Sequence, residues 1–365
     1  MFTQLINKNK SSFIVDHISN IEADEDAIEL RYWLRSKIGV FNTYVTYRVV
    51  VFRFYLWMSS KGIKLKTANR RDIIDYLEFI KNPPESWCGS RHHFTHPEWR
   101  PFRHKLSTRS IQFNMQLIRQ MFIDLVESEY ITKSPFPSNL KYSYTTKDLP
   151  MERYLTIDEY KEIHNYINLL PENTQVELDF KVRINWIIII LIYTGTRRSE
   201  IAKAKMSDII VKNDRLWLKV IGKGNKYGEI PILPELEDSL NQYRKFYNLP
   251  KISSRQKSES HIPLIIKSKL NNDYYGMSSA SILYNIKKMC KGLAKITPNK
   301  ELANKLMKVS PHWFRHTSAT LQVNAGIDLR IVQKNLRHTS IETTMIYQHV
   351  QQDHQHDETS TKFKI

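Results

Sequence analysis

Residues Trp186 to Tyr193 form an unbroken apolar run, WIIIILIY, closed by Thr194 and Gly195. No other stretch constrains the fold as much. Eight residues fall far short of the roughly 20 needed to cross a bilayer, so the run must be hidden in a protein core. We read Ile187 to Ile192 as a buried helix that Gly195 interrupts. The chain can supply such a core. At 365 residues, 41% hydrophobic and 11% aromatic, it has the length of two ordinary domains and a composition that excludes general disorder.

Apolar periodicity divides the chain. A helical pattern runs from Asn42 to Ser60, with Gly62 as its stop, and a second helix is announced around Thr67 to Asn69. Ile73, Leu77 and Ile80 share one face of that second helix. Residues 82–104 break the pattern with Pro83, Pro84, Pro97 and Pro101. Helix resumes after Ser107 through Ile111, Met115, Ile118, Phe122 and Leu125, and we expect Pro135 and Pro137 to end it. This gives an all-helical first domain over 1–148, with an insertion near 82–104 and a polar linker at Tyr142 to Asp148. The second domain, 149–350, opens with a capping box at Thr156 and Glu159. Leu216, Leu218 and Val220 alternate on one strand, Ile230 and Ile232 on another, and Gly222-Lys223-Gly224-Asn225-Lys226 makes the hairpin between them. The rest reads as helix: Ser310-Pro311 a helix start, Gly326 a stop, and Thr339 with Glu342 another capping box. Residues 351–365 form a tail. The expected class is mainly α with a small antiparallel β-sheet, α+β.

Charge narrows the function. Lys+Arg 55 against Asp+Glu 37 gives a net +18. The counts are 22 against 15 up to residue 150 and 33 against 22 beyond it, so both halves carry the excess. Such a chain suits a polyanion, nucleic acid first. Met1 to Lys10 has no continuous apolar segment, so no secretory signal is expected. Cys88 and Cys290 are the only cysteines, which fits a reducing cytoplasm. The sequence has no glycine-rich phosphate loop, and ATP or dinucleotide use is not expected. Cys88, His92, His93 and His96 do not have a usual zinc-ligand spacing, and no metal is expected there.

Four short segments of the second domain carry groups suited to phosphate chemistry. Thr194-Gly195-Thr196-Arg197-Arg198-Ser199-Glu200 is a turn that puts Arg197 near a new helix start, where its fork of donors joins free backbone N–H groups. Lys223 lies between glycines at a hairpin tip, from which a lysine can reach a ligand or give up a proton. His312-Trp313-Phe314-Arg315-His316 has two histidines four apart but lacks the glutamate of zinc peptidases. Its His and Arg suit phosphate oxygens better than a metal. From Leu336 to Tyr347, a basic or donor residue such as His338, a helix start and then Tyr347 about two turns along could present a phenol to a bound phosphate. Each segment alone also fits an ordinary solvated turn or a satisfied core residue.

Taken in order, the segments resemble the tyrosine recombinase (phage integrase) family. Arg197 sits in its Thr-Gly-x-Arg-x-Ser-Glu box, Lys223 in its hairpin, His312 and Arg315 in its His-x-x-Arg-His box, and His338 and Tyr347 in its Leu-Gly-His…Tyr box. The chain departs from these boxes at Thr196, usually aliphatic, and at Arg337, usually glycine, a residue that tolerates φ > 0 where arginine does so poorly. The resemblance implies a site-specific recombinase or integrase that cuts and rejoins double-stranded DNA through a 3′-phosphotyrosine, without ATP, metal or other cofactor. Tyr347 would be the nucleophile, Arg197, Arg315 and His338 would hold the phosphate, and Lys223 would be the general acid. His312 would be donor or base; Glu200 would orient an arginine or histidine, and fits a plain helix-surface acid equally well. It further implies a core-type DNA-binding first domain and a cytoplasmic, bacterial protein that meets the nucleoid when bound. The protein would be a monomer when free and a homotetramer on two synapsed sites, with Val350, Phe363 and Ile365 anchoring the tail on a neighbour. The same residue types would serve a type IB topoisomerase-like or hairpin-telomere strand transferase. Loss of Tyr347 or of an arginine would instead have marked a non-catalytic DNA-binding accessory protein.

Overall fold

In the computed structural model the described residues are 24–37, 41–90, 92–93, 96–137, 153–222, 227–254, 259–271 and 273–337. They form twelve α-helices and two small antiparallel sheets. The chain divides into two compact units, Met1–Lys147 and Asp148–Ile365.

The first unit is helical. Its elements are α1 (Glu25–Ser36), α2 (Phe41–Lys61), α3 (Arg70–Lys81) and α4 (Thr108–Glu127). Along α2 the residues from Val50 to Met58 are buried almost without a break, so this helix is the centre of the unit. Gly62, at φ 67°, ends it. Asn69 caps α3 by accepting from the Arg71 N–H, and Asp72 returns the bond to the Asn69 N–H. The stop of α4 differs from the sequence expectation. The helix ends at Glu127, well before Pro135, because Glu129 turns left-handed at φ 59° and the N–H groups of Tyr130 and Ile131 both bond to the Leu125 carbonyl. Burial of Ile131 and a 2.8 Å bond from the Tyr130 hydroxyl to Asp26 fix that turn.

Residues 82–104 are no appendage to this core. Trp87, Trp99 and Phe102 are buried in it, and the segment closes on itself through Phe102 N–H to Trp87 O and Gly89 N–H to Phe102 O. Arg53, buried on α2, holds the loop from beneath. Its Nη2 donates to the Pro101 carbonyl at 2.7 Å, its Nη1 to Asn114 at 2.8 Å, and its plane lies over the Phe102 ring.

The second unit surrounds α6 (Gln175–Thr194), whose Trp186 to Ile192 are all buried. Preceding it, α5 (Ile157–Asn168) starts at the Thr156–Glu159 capping box. After α6 come α7 (Arg198–Lys203) and a three-stranded antiparallel sheet, β1 (Ile209–Lys212), β2 (Arg215–Ile221) and β3 (Tyr227–Pro231), in the order β1-β2-β3. Leu218 pairs with Ile209 on one side and Ile230 on the other, one buried row facing the helices. There follow α8 (Pro234–Phe246), a hairpin of β4 (Ile266–Leu270) and β5 (Asp273–Gly276), α9 (Ser279–Ile296), α10 (Lys300–Lys308), α11 (Pro311–Asn324) and α12 (Leu329–Leu336). Helix α6 packs against α8, α9 and α11. Of these, β1, β4 and β5 were not legible in sequence; their alternation spans only four or five residues, and most of β4 and β5 is not buried. Pro311 opens α11 as expected, although Ser310 makes no side-chain cap bond. The linker at Tyr142 to Asp148, the Thr339–Glu342 box and the 351–365 tail lie outside the described residues.

Arg53→Met should remove the charged hydrogen bonds under the 97–102 loop and cost about 2–4 kcal/mol of first-unit stability. Urea unfolding of the full chain measures this, and limited proteolysis should find new cleavage within 84–104. An unchanged midpoint and cleavage map would contradict the anchoring.

Candidate active site

Gly195 ends α6 in the left-handed conformation, φ 56°. A Cβ there would lie 2.5 Å from Leu336 Cδ2 and 3.1 Å from Ser318 Oγ, so both backbone and packing require glycine. The turn it makes is dry. Thr196 is fully buried, yet its hydroxyl meets that of Thr194 at 2.8 Å, which satisfies a polar group where an aliphatic residue would need none. Arg197 then occupies the N-cap of α7. Its N–H donates to Glu200 Oε2 at 2.7 Å and its Nη1 to Glu200 Oε1 at 2.9 Å. The guanidinium stays partly exposed, while the Glu200 side chain is only 2% exposed. Sequence reading left Glu200 between an orienting partner and a surface acid. Its burial and both bonds make it the group that aims Arg197.

Arg315 and His312 come from one turn of α11. Arg315 is 1% exposed, and its fork reaches across to two helix ends. Nη1 donates to the Gly195 carbonyl at 2.5 Å and Nη2 to the Leu336 carbonyl. One guanidinium thereby ties the turn before Arg197 to the end of the helix that leads to His338. His312 keeps contact with solvent. Partial desolvation, followed by the positive field of Arg315, Arg197 and Arg153, holds its pKa below the usual histidine range. His316, with its ring centroid 4.6 Å from that of His312, is pushed down to about 4, first by burial and then by His312, Arg315 and Arg153. Both imidazoles are therefore neutral near pH 7, when His312 can donate or accept.

A cleft of about 1200 Å³ opens beside Arg197. Lys212, Arg215, Arg330, Lys334 and Arg337 also line it. Glu229, the only acid among the described lining residues, is engaged by Lys212 at 3.0 Å and by the Tyr227 hydroxyl at 2.8 Å. Gly222, which precedes Lys223, lines the same cleft. So does Arg337, which precedes His338. At φ 56° it keeps the left-handed conformation that favours glycine, and its side chain is nine-tenths buried against Glu200.

Arg197, His312 and Arg315 are thus gathered in one place. Lys223, His338 and Tyr347 lie outside the described residues. Sequence reading missed Arg330 and Lys334 of α12; with Arg337 just past its end they recur at the spacing of one helix face, and that was the available signal. In the first unit, His92, His96 and Glu98 have ligand atoms within 4.8 Å of one another, without Cys88 or His93. The two imidazoles stack 4.2 Å apart and 9° from parallel, so their in-plane lone pairs do not converge on one ion.

Residues 153–354 match the model of the phage integrase family. Tyrosine recombinase XerD of Rickettsia prowazekii is 30% identical over 254 residues, covering 68% of this chain and 74% of its own. Tyrosine recombinase XerC of Listeria welshimeri is 26% identical over 306 residues, with 80% and 89% covered. Among solved structures, XerH site-specific recombinase bound to a palindromic difH substrate aligns with TM-score 0.60 at 15% identity, over 98% of this chain and 94% of that one. The Tn1549 transposon integrase with circular intermediate DNA aligns with TM-score 0.54 at 19% identity, over 95% and 94%. These last two likenesses are of fold. With more than half its length matched, the chain belongs to the phage integrase family of tyrosine-type site-specific recombinases.

The depressed pKa of His316 gives a pH dependence with a definite sign. Between about 4 and the ordinary 6.5 the unfolded chain binds a proton there that the folded chain does not, so stability rises with pH through that window and is complete above it. His316→Gln should flatten the slope by at most about 1.4 kcal/mol per pH unit. Denaturant midpoints of both proteins from pH 4.5 to 7.5 check this; parallel curves would contradict a neutral His316.

Proposed function

We propose that this chain binds double-stranded DNA and exchanges strands through a covalent 3′-phosphotyrosyl intermediate. The observation that carries the reading is the convergence of Arg197, Arg315 and His312, of which Arg197 lines a basic cleft together with the residues just before Lys223 and His338. The Tyr347 oxygen attacks a backbone phosphorus, its proton passing to His312 or solvent. The P–O5′ bond breaks, and the departing 5′ oxygen takes a proton from Lys223. Arg197, Arg315 and His338 meet the charge that builds on the non-bridging oxygens. Bond energy is kept in the phosphotyrosine, so the return attack by a 5′-hydroxyl rejoins the strand without ATP.

Residues 149–350 would be the catalytic domain and 1–148 a DNA-binding domain. The working assembly would be a homotetramer on two synapsed sites, built from monomers and helped by the tail at 351–365. The fold neighbours that are complexes with DNA support the DNA reading by analogy of architecture. We infer a bacterial cytoplasm as its setting, in line with the organisms of its relatives.

Duplexes recovered from a random-sequence pool as detergent-stable adducts of the full chain supply the substrate. Tyr347→Phe should bind them with affinity close to that of the unaltered chain and form no adduct on denaturing gels. An adduct surviving in Tyr347→Phe would move the nucleophile elsewhere.

Lys223→Ala should slow cleavage of ordinary DNA by about 10²–10⁴-fold, the usual weight of a general acid. On DNA with a 5′-bridging sulfur the loss should nearly vanish, since a thiolate leaves without a proton. Equal slowing on both substrates would make Lys223 a phosphate binder, and Lys226→Ala in parallel controls for the choice of hairpin lysine.

A further inference from the structure

Arg337 holds a backbone conformation that costs an arginine and not a glycine, and its side chain is buried instead of extending into solvent. What it touches explains why it is kept there. Nη2 pairs with Glu200 Oε2 at 2.5 Å, and Nη1 donates to the Asn335 carbonyl at 2.9 Å. The stem lies so close to β3 that a Cβ on Gly228 would come 2.4 Å from Arg337 Cδ. Nε is buried with no hydrogen-bond partner among the described residues, so the guanidinium is held chiefly through the carboxylate.

That carboxylate is already committed, because Glu200 also holds the side chain and backbone N–H of Arg197. Glu200 and Arg197 alone would be a neutral pair, in which the acid that aims the arginine also cancels its attraction for an anion. With Arg337 the three groups carry a net positive charge. Burial of Glu200 makes this count matter, since water does not screen it.

We propose that Arg337 is a positioning residue for strand transfer. By sharing Glu200, it lets the acid aim Arg197 without neutralising the site. By packing on Gly228, it also ties the end of α12, which leads to His338, to the return strand of the hairpin that bears Lys223. The proposal rests on the recombinase reading above. It gives one side chain a hold on three chain segments that lie far apart in sequence.

The test is single-turnover adduct formation on the duplexes recovered by the full chain, with Arg337→Gly, Arg337→Lys, Glu200→Gln and the Arg337→Gly/Glu200→Gln double variant. Arg337→Gly should slow the rate at saturating DNA by about 10–100-fold, the usual weight of a residue acting through another. The DNA concentration at half-saturation should change little. Arg337→Lys should recover part of the rate. The double variant should react faster than Arg337→Gly, because removing the acid's charge restores the net positive count while the amide oxygen that replaces the carboxylate still accepts from Arg197. Thermal unfolding of each variant, with rates taken well below every midpoint, separates a change in rate from a change in the folded fraction, in the double variant as in the singles. An Arg337→Gly rate equal to that of the unaltered chain, or a double variant no faster than Arg337→Gly, would overturn the proposal and leave the recombinase reading intact. Failure of the unaltered chain to form an adduct with any DNA would remove the recombinase reading, and this proposal with it.

Discussion

Glu200 is a carboxylate with almost no access to water, and a buried charge of that kind persists only where opposite charge and hydrogen bonds surround it. Arg197 and Arg337 supply both. Much of the local architecture follows from that requirement. Arg197 has to stand at the start of α7 so that its N–H and its guanidinium both face the acid. Helix α12 has to end where Arg337 can turn back, and β3 has to offer Gly228 so that the stem can pass. The arrangement turns a destabilising group into one that sets the direction of a cation.

Arg315 does the corresponding work on the backbone. Buried inside α11, it directs its donors to the carbonyls of Gly195 and Leu336, which lie just before the Arg197 turn and the Arg337 turn. Those turns stand where they do because α6 is a rigid apolar rod packed by α8, α9 and α11. The sequence run that most limits the fold is therefore also the support of the site. A shift of α6 would carry Gly195 with it and change the aim of Arg197, and the proposed phosphoryl transfer would tolerate little misplacement.

Most of the helical framework could be read from sequence, because each long helix carries both a face and a cap. Ile73, Leu77 and Ile80 gave the face of α3 and Asn69 its start; Thr156 and Glu159 gave the start of α5. The end of α4 could not be read. Its stop is a left-handed Glu129 held by the tertiary burial of Ile131 and by Asp26, a residue about a hundred positions away. Residues 82–104 looked like an excursion because prolines erased the periodicity, yet Trp87, Trp99 and Phe102 make them part of the core. In the site, Arg197, His312 and Arg315 were legible as types in order. The work of Glu200 and Arg337 was not, since sequence gives neither burial nor the shared carboxylate. Arg337 stood out as a departure from a family pattern, and only its contacts explain why the left-handed position accepts an arginine.

Glu200 holds Arg197 and Arg337 together, and the proposed chemistry needs Arg197 and Arg315 to meet one phosphate. A crystal structure of Tyr347→Phe bound to its recovered duplex tests that most directly. The expected result is Arg197 and Arg315 within hydrogen-bond distance of the non-bridging oxygens of a single phosphate, with Glu200 still between Arg197 and Arg337. A phosphate held elsewhere in the cleft, or an Arg337 released from Glu200 and placed on the DNA, would contradict it.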